Sequence, residues 1–258
     1  MLIVKLMLGK INCFLCLLIA SNLAFGYLVS PLKAETKDGT RTNHGMPTYR
    51  RDGGSRGTQE QCVANHNQNI VAIIPENTVT LTASTAPKLF FYISETSQER
   101  TLEFVLRNEE DKLIYEAFLT TDGRGIVSVE IPPEVQANLL QEKQDYHWYL
   151  SMICNAEQRS QDLVVEGWMR PSQIDPITKK QLAEADVIEQ AELYNQQGLW
   201  HDALLVLAER KHNYAVAAKW SELLNSVGLG ELASKPFVPS KLIEESQGSE
   251  ITENLFLP

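Results

Sequence analysis

The common catalytic signatures are missing from this chain of 258 residues. It has no Gly-x-Ser-x-Gly elbow, no His-Glu-x-x-His pair, no glycine-rich phosphate loop and no calcium loop. Each absence removes a chemistry: serine hydrolysis on an elbow, zinc proteolysis, nucleotide cradling and calcium coordination. Cysteine is scarce. Of four residues, Cys13 and Cys16 lie in an apolar N-terminal run, which leaves Cys62 and Cys154 in the body of the chain. Neither belongs to a Cys-x-x-Cys, so thiol-redox catalysis and a zinc knuckle both lack their ligand spacing. No cofactor and no metal are expected.

Positive charge is also in short supply. Residues 1–34 carry Lys5, Lys10 and Lys33 and no acid, so the remainder holds 20 basic against 33 acidic residues, a net of −13. A body this acidic is a poor match for nucleic acid or anionic lipid, both of which demand clustered Lys and Arg. The leader itself has a cationic start, the apolar run "INCFLCLLIA" and then small residues, which is the layout of a secretory signal. Cleavage is expected after Ala34, with Ala24 as a second position. The alternative is an uncleaved inner-membrane anchor, because the apolar stretch extends to Ser30. The expected location is exported, in the periplasm or outside the cell.

Residues 35–61 show almost no apolar periodicity and read as a flexible arm. It contains "RRDGGSRGTQEQC" (50–62), where three arginines stand among glycines. A phosphate loop would need those glycines to open a helix. Here they lead into the β-branched run "IVAIIPE" (70–76), so the segment reads as a lead-in to a folded domain rather than an anion or RNA site.

From residue 70 the chain reads as strands. "TVTLTAS" (78–84), "KLFFYIS" (88–94), "TLEFVLR" (101–107), "LIYEAFL" (113–119), "IVSVEIP" (126–132), "YHWYLSMI" (146–153) and "LVVEGWM" (163–169) are short, rich in Val, Ile, Phe and Tyr, and separated by polar turns such as "RNEED" and "TDGRG". Leu102, Phe104 and Leu106 alternate with Glu103 and Val105, and Val127, Val129 and Ile131 with Ser128 and Glu130, so each sheet buries one face. Leu140 followed by Tyr146 at a strand start matches the corner of immunoglobulin-like and fibronectin type III-like domains, whose Tyr hydroxyl bonds back to the loop. The expected domain is a β-sandwich of that class over 62–170, with any other antiparallel sandwich or barrel as the alternative.

Asp175 before Pro176 marks a helix start. Leu182, Ala185, Ile188, Ala191 and Tyr194 then recur at helical spacing up to Gly198. Further helices are expected over 200–211 and 214–228, the last with Ala217, Trp220, Leu224 and Val227 inward. "AELYNQQGLWHDALLVLAE" has the small residues and turn glycine of a single tetratricopeptide-like hairpin. Residues 175–228 are thus a helical hairpin with a cap helix, and 229–258 a disordered acidic tail.

Candidate site residues are few. His44 and His66 lie in or beside the arm, His147 sits inside a strand, and His201 and His212 fall on different segments. Glu109, Glu110 and Asp111 cluster in a turn, where solvent keeps carboxylates ordinary. Trp168 and Arg170 suit a cation–π recognition patch, or else Trp168 fills the seam between strands and helices. Trp200 opens a helix and suits packing. The partner-binding candidates are Trp168, Arg170, Tyr194 and Trp200. Cys62 and Cys154 are either two buried thiols or a disulfide, which an even count in an exported chain favours. The bridge would close a loop of about 90 residues and stabilise by roughly 4–5 kcal/mol in the chain-entropy view.

Taken together, "GGSRGTQEQC", "LFFYIS", "EFVLRNEEDKLIYE", "GIVSVEIP", "YHWYLSMIC", "VVEGWM" and "AELYNQQGLWHDALLVLAE" resemble, in this order, a cyanobacterial family of exported proteins known only as a domain of unknown function. The resemblance covers roughly residues 54–228. It brings no catalytic residues. It implies that the glycine–arginine segment and both cysteines belong to the module, which supports a Cys62–Cys154 pair. The expectation is an exported, non-enzymatic protein-interaction or envelope-assembly module with a protein partner. The alternatives are a carbohydrate-binding accessory module using Trp168 or Tyr92, and a hydrolase with two converging carboxylates.

Overall fold

The computed structural model describes residues 49–51, 70–94, 96 and 98–243. All of them belong to the larger of the two units into which the chain divides, residues 36–258. The strands are β1 (Ile70–Ala72), β2 (Val79–Thr82), β3 (Lys88–Ile93), β4 (Arg100–Arg107), β5 (Leu113–Thr121), β6 (Gly125–Glu130), β7 (Tyr146–Ile153), β8 (Leu163–Pro171) and β9 (Lys241–Leu242). The helices are α1 (Pro133–Leu139), α2 (Pro176–Glu184), α3 (Val187–Gln196), α4 (Trp200–Ala208) and α5 (Tyr214–Ser226).

The strands form two sheets, one in the order β1-β3-β6 and one in the order β2-β8-β7-β4-β5-β9. Pairing is antiparallel except between β2 and β8. The two sheets share an apolar core in a sandwich-like arrangement. Phe91 on β3 meets Trp148 on β7 edge to face, with centroids 5.5 Å apart. Strict alternation on β4 sends Leu102, Phe104 and Leu106 inward, as the period-2 pattern requires. Gly167 on β8 faces Trp148, and a Cβ there would lie 2.4 Å from Cζ2 of the indole. The position admits only a hydrogen because the ring fills the space.

Tyr146 opens β7 at the corner anticipated from the sequence. Its hydroxyl accepts the Gln141 N–H at 2.7 Å and donates to the Leu139 carbonyl at 3.2 Å. These bonds tie the loop after α1 to the strand on either side of Leu140, which is itself buried.

Both open sides of the sandwich are closed by segments with no strand signature of their own. On one side, the Arg50 carbonyl accepts the Ala72 N–H at 2.8 Å, and the Tyr49 carbonyl accepts the Glu166 N–H at 3.1 Å. The three residues 49–51 therefore stitch the edge of β1 to β8. The Arg50 side chain is only 7% exposed; it donates to the carbonyls of Ile74 (3.2 Å) and Val227 (2.7 Å) and to Glu76 (2.5 Å). This corrects the reading of residues 35–61 as a flexible arm at its midpoint alone, the rest of the arm lying outside the described residues. Residues 49–51 are fixed, and Arg50 is a buried clamp rather than a free cation. Arg56 lies outside the described residues.

On the other side, Ile126 donates to the Pro236 carbonyl at 2.7 Å and accepts from Val238 at 2.9 Å. The chain then adds β9 to β5 through Leu119–Leu242 and Thr120–Lys241. Phe237 packs on Trp220 (5.5 Å) and Phe90 (6.0 Å), while Leu229 and Leu232 are buried. The expected tail from residue 229 is corrected here too, since residues 229–243 form part of the folded unit. A segment that covers edges by main-chain bonds needs no periodic apolar face.

The helices also depart from expectation at one point. The single helix read from Leu182 to Tyr194 is two, α2 and α3, broken at Ala185–Asp186. Asp186 accepts the N–H groups of Ile188 and Glu189 at 2.8 and 2.9 Å, and Glu189 accepts the Asp186 N–H at 3.0 Å. This capping box starts a new helix inside a continuous apolar period. Asp175 caps α2 as anticipated.

Candidate functional site

Alternation along β7 and β8 decides what faces outward. Trp148, Leu150 and Met152 point into the core, so His147, Tyr149 and Ser151 share the opposite face. On β8 the outward set is Val164, Glu166, Trp168 and Arg170. The register places His147 opposite Trp168, Tyr149 opposite Glu166, and Ser151 opposite Val164. The imidazole of His147 stacks on Trp168 with centroids 4.2 Å apart at 14°, and lies equally close to the Tyr149 ring at 38°. His147 Nδ1 is 2.8 Å from the Tyr149 hydroxyl, and Nε2 is 3.1 Å from a Glu166 carboxylate oxygen. Burial raises the Tyr149 pKa, and the Glu166 charge adds to the effect.

Two exposed apolar side chains lie near these rings. Val164 is 36% exposed, and Tyr49, held beside Glu166 by its own carbonyl, is 59% exposed. The stacked rings of Trp168, His147 and Tyr149 thus lie on the outward face of β7 and β8, with His147 itself buried between its neighbours, and Val164 on β8 and Tyr49 beside Glu166 add exposed apolar surface near them. Arg170 follows Trp168 on this face and is engaged by the Asp145 carboxylate in a bidentate pair, at 2.5 and 2.7 Å. The pair raises the Arg170 pKa. Trp168 gives a ring face to His147, and Arg170 gives its fork to Asp145.

The other candidates fall elsewhere. Trp200 is 3% exposed, and its Nε1–H donates to the Ile73 carbonyl at 2.8 Å. It is corrected from partner-binding candidate to the anchor of α4 on the sandwich. Tyr194 is half-buried against the core, which raises its pKa. Tyr92, offered for sugar binding, is buried with the Lys235 ammonium 5.4 Å above its ring, so it is withdrawn from that role. Cys154 follows β7 and packs against the core, whereas Cys62, His44 and His66 lie outside the described residues. Glu109, Glu110 and Asp111 are an exposed turn, with Glu109 accepting the Asp145 N–H at 3.0 Å.

His201 and Asp202 were not foreseen as a pair. Both are buried where α4 covers the β2 edge. Thr80 donates its hydroxyl proton to the Trp168 carbonyl at 2.9 Å, so the 2.7 Å contact with His201 makes the imidazole Nε2–H the donor. Burial holds the His201 pKa down to about 4. Burial likewise pushes Asp202 up to about 6, against a hydrogen bond from the Ala83 N–H at 3.0 Å. The Gly198 carbonyl accepts the Leu81 N–H at 3.2 Å. The hairpin turn and the start of α4 thus satisfy the free edge of β2, and these titratable groups belong to that seal. Among the described residues no three His, Cys, Asp or Glu side chains converge on a metal position, and no helix is long and apolar enough to cross a membrane.

A family model, Domain of Unknown Function (DUF928), matches residues 51–237. The chain belongs to the DUF928 family. No curated protein matches it. The DUF928 match begins at Arg51, which bridges to Val71, and ends at Phe237, which bridges to Ile126. It therefore runs from the strap that closes one side of the sandwich to the strap that closes the other. The stacked rings, the seal under α4 and all five helices lie within it, with Tyr49 just outside.

Proposed function

We propose that this DUF928 protein is an exported, non-enzymatic protein-interaction module that binds its partner through the outer face of the six-stranded sheet, in a role such as envelope assembly. The observation that carries the reading is the stack of Trp168, His147 and Tyr149 on the outward face of β7 and β8, with the exposed apolar surface of Val164 and Tyr49 near it. Aromatic residues of this kind are enriched at protein interfaces, whereas the most perturbed titratable groups, His201 and Asp202, are sealed beneath a helix. The test is affinity capture with the chain from residue 35 onward, using its own envelope fraction and mass spectrometry. A saturable, stoichiometric protein partner is the expected result. Retention of a polysaccharide instead would favour the carbohydrate-binding alternative, which draws on the same rings.

Within this reading the sandwich is of immunoglobulin or fibronectin type III kind. Supporting it are the order β1-β3-β6 against β2-β8-β7-β4-β5 and the Tyr146 corner. The α3–α4 hairpin is tetratricopeptide-like, supported by buried Ala191 and Ala203 and by Gly198 at φ +72°. Export rests on the cationic leader and its apolar run, with an uncleaved anchor as the alternative. Cys62 and Cys154 pair in the exported protein. Non-reducing peptide mapping is expected to recover them as one linked fragment, and free thiols at both positions would remove the pair from the account.

A further inference from the structure

We propose that His147 is a proton-operated switch that sets which way the Tyr149 hydroxyl points on the outward face of β7 and β8. The imidazole is 9% exposed and held between the Trp168 and Tyr149 rings. Nε2 lies 3.1 Å from a Glu166 carboxylate oxygen, yet among the described residues no hydrogen-bond partner is aligned with it. A carboxylate only accepts, so the neutral ring carries its hydrogen on Nε2; the other tautomer would set two lone pairs against each other. Nδ1 is then an acceptor, and the Tyr149 hydroxyl, 2.8 Å away, donates to it. In this state the hydroxyl proton points at the ring, and the oxygen offers only lone pairs outward.

A second proton reverses the bond. An imidazolium donates from both nitrogens. Nδ1–H then points at the Tyr149 oxygen, and the hydroxyl proton turns away from the ring. The new charge meets groups already in place, the Glu166 carboxylate beside Nε2 and the face of the Trp168 ring. The neighbouring cations are otherwise engaged. Arg107 stands opposite His147 on β4 but donates to the Asp111 carbonyl at 2.8 Å and lies 3.7 Å from the Asp111 carboxylate. Arg170, the next outward residue on β8, is held by Asp145. Beyond β8, β2 sets the uncharged Val79 opposite Trp168. The switch therefore exchanges an outward acceptor for an outward donor. Its consequence for recognition rests on the sheet-face reading: the partner group that meets Tyr149 is a donor at high pH and an acceptor at low pH.

The test is NMR of the full chain between pH 8 and 5, the range in which histidine ordinarily changes charge. At high pH the His147 Nδ1 should show the nitrogen shift of an unprotonated position and Nε2 that of a protonated one. As the ring takes its second proton, the Tyr149 Cζ resonance should move at the same midpoint, because its oxygen passes from donor to acceptor. Glu166→Gln should lower that midpoint by about one pH unit, since it removes the anion beside Nε2. A neutral ring protonated on Nδ1, a ring that stays neutral to pH 5, a Tyr149 resonance that ignores the titration, or a midpoint unmoved by Glu166→Gln would each overturn the proposal. These readouts need no partner, so failure to capture one would count against the sheet-face reading and leave the switch standing.

Discussion

A chain truncated after Gly228 is expected to melt about 10 °C or more below the full-length protein. The deletion removes Leu229 and Leu232, both buried, and the Phe237 ring that packs on Trp220 and Phe90. It also strips Ile126 of both its partners in residues 236–238 and removes β9 from β5. Burying one large apolar side chain contributes about 1.5–3 kcal/mol. Two leucines and a partly buried Phe therefore come to roughly 5 kcal/mol. For a domain of this size, each kcal/mol moves the melting temperature by about 2–4 °C. A truncated chain melting within about 2 °C of the full one would show that residues 229–243 are not held as described. The deletion also tests an energetic point: composition suggests a tail, whereas a few anchored residues decide whether it docks.

The second large effect is a pH dependence that the intact protein hides. The folded His201 pKa is about 4 against 6.5 in the unfolded chain. As pH falls from 6.5 to 4 the unfolded state takes the proton first, and stability is lost. Asp202 runs the other way, with a folded pKa of about 6 against 3.8. As pH falls from 6 to 3.8 the folded state takes the proton first, and stability is gained. Each slope is about 1.4 kcal/mol per pH unit, so between pH 4 and 6 they nearly cancel. Asp202→Asn leaves only the histidine slope. Relative to the parent, this variant should lose about 3 kcal/mol on going from pH 6.5 to 4. His201→Gln should show the reverse, gaining on the parent as pH falls from 6 to 4. Chemical denaturation at several pH values measures both, and the comparison is of slopes, so a fixed cost of either substitution drops out. Curves that stay parallel to the parent would mean that neither group is buried in the state assigned to it.

The sequence carried the strands well because each buries one face, and a period of two is hard to produce otherwise. β4 is the clearest example, with Leu102, Phe104 and Leu106 inward. Asp175–Pro176 and the Tyr146 corner were also legible, since each depends on one or two residues in a short local pattern. What remained hidden depends on contacts distant in the chain. Arg50 reads as one arginine among glycines, yet its guanidinium reaches Val227, 177 residues away. Asp186 sits within an unbroken apolar period, so the capping box that divides α2 from α3 was masked by the period itself. His147 was placed on a strand, but its meeting with Trp168 and Glu166 depends on the β7–β8 register, which alternation alone does not determine. The same holds for His201, whose partner Thr80 lies 121 residues earlier.

The central claim is that the outer face of the six-stranded sheet recognises a protein. Tyr49→Ser with Val164→Arg alters that face at its two exposed apolar positions and touches none of the core. The most direct measurement is the affinity of this double variant for the partner that the wild-type chain captures, compared at equal melting temperature. A loss of tenfold or more, about 1.4 kcal/mol, is expected. Unchanged affinity in a folded variant would contradict it.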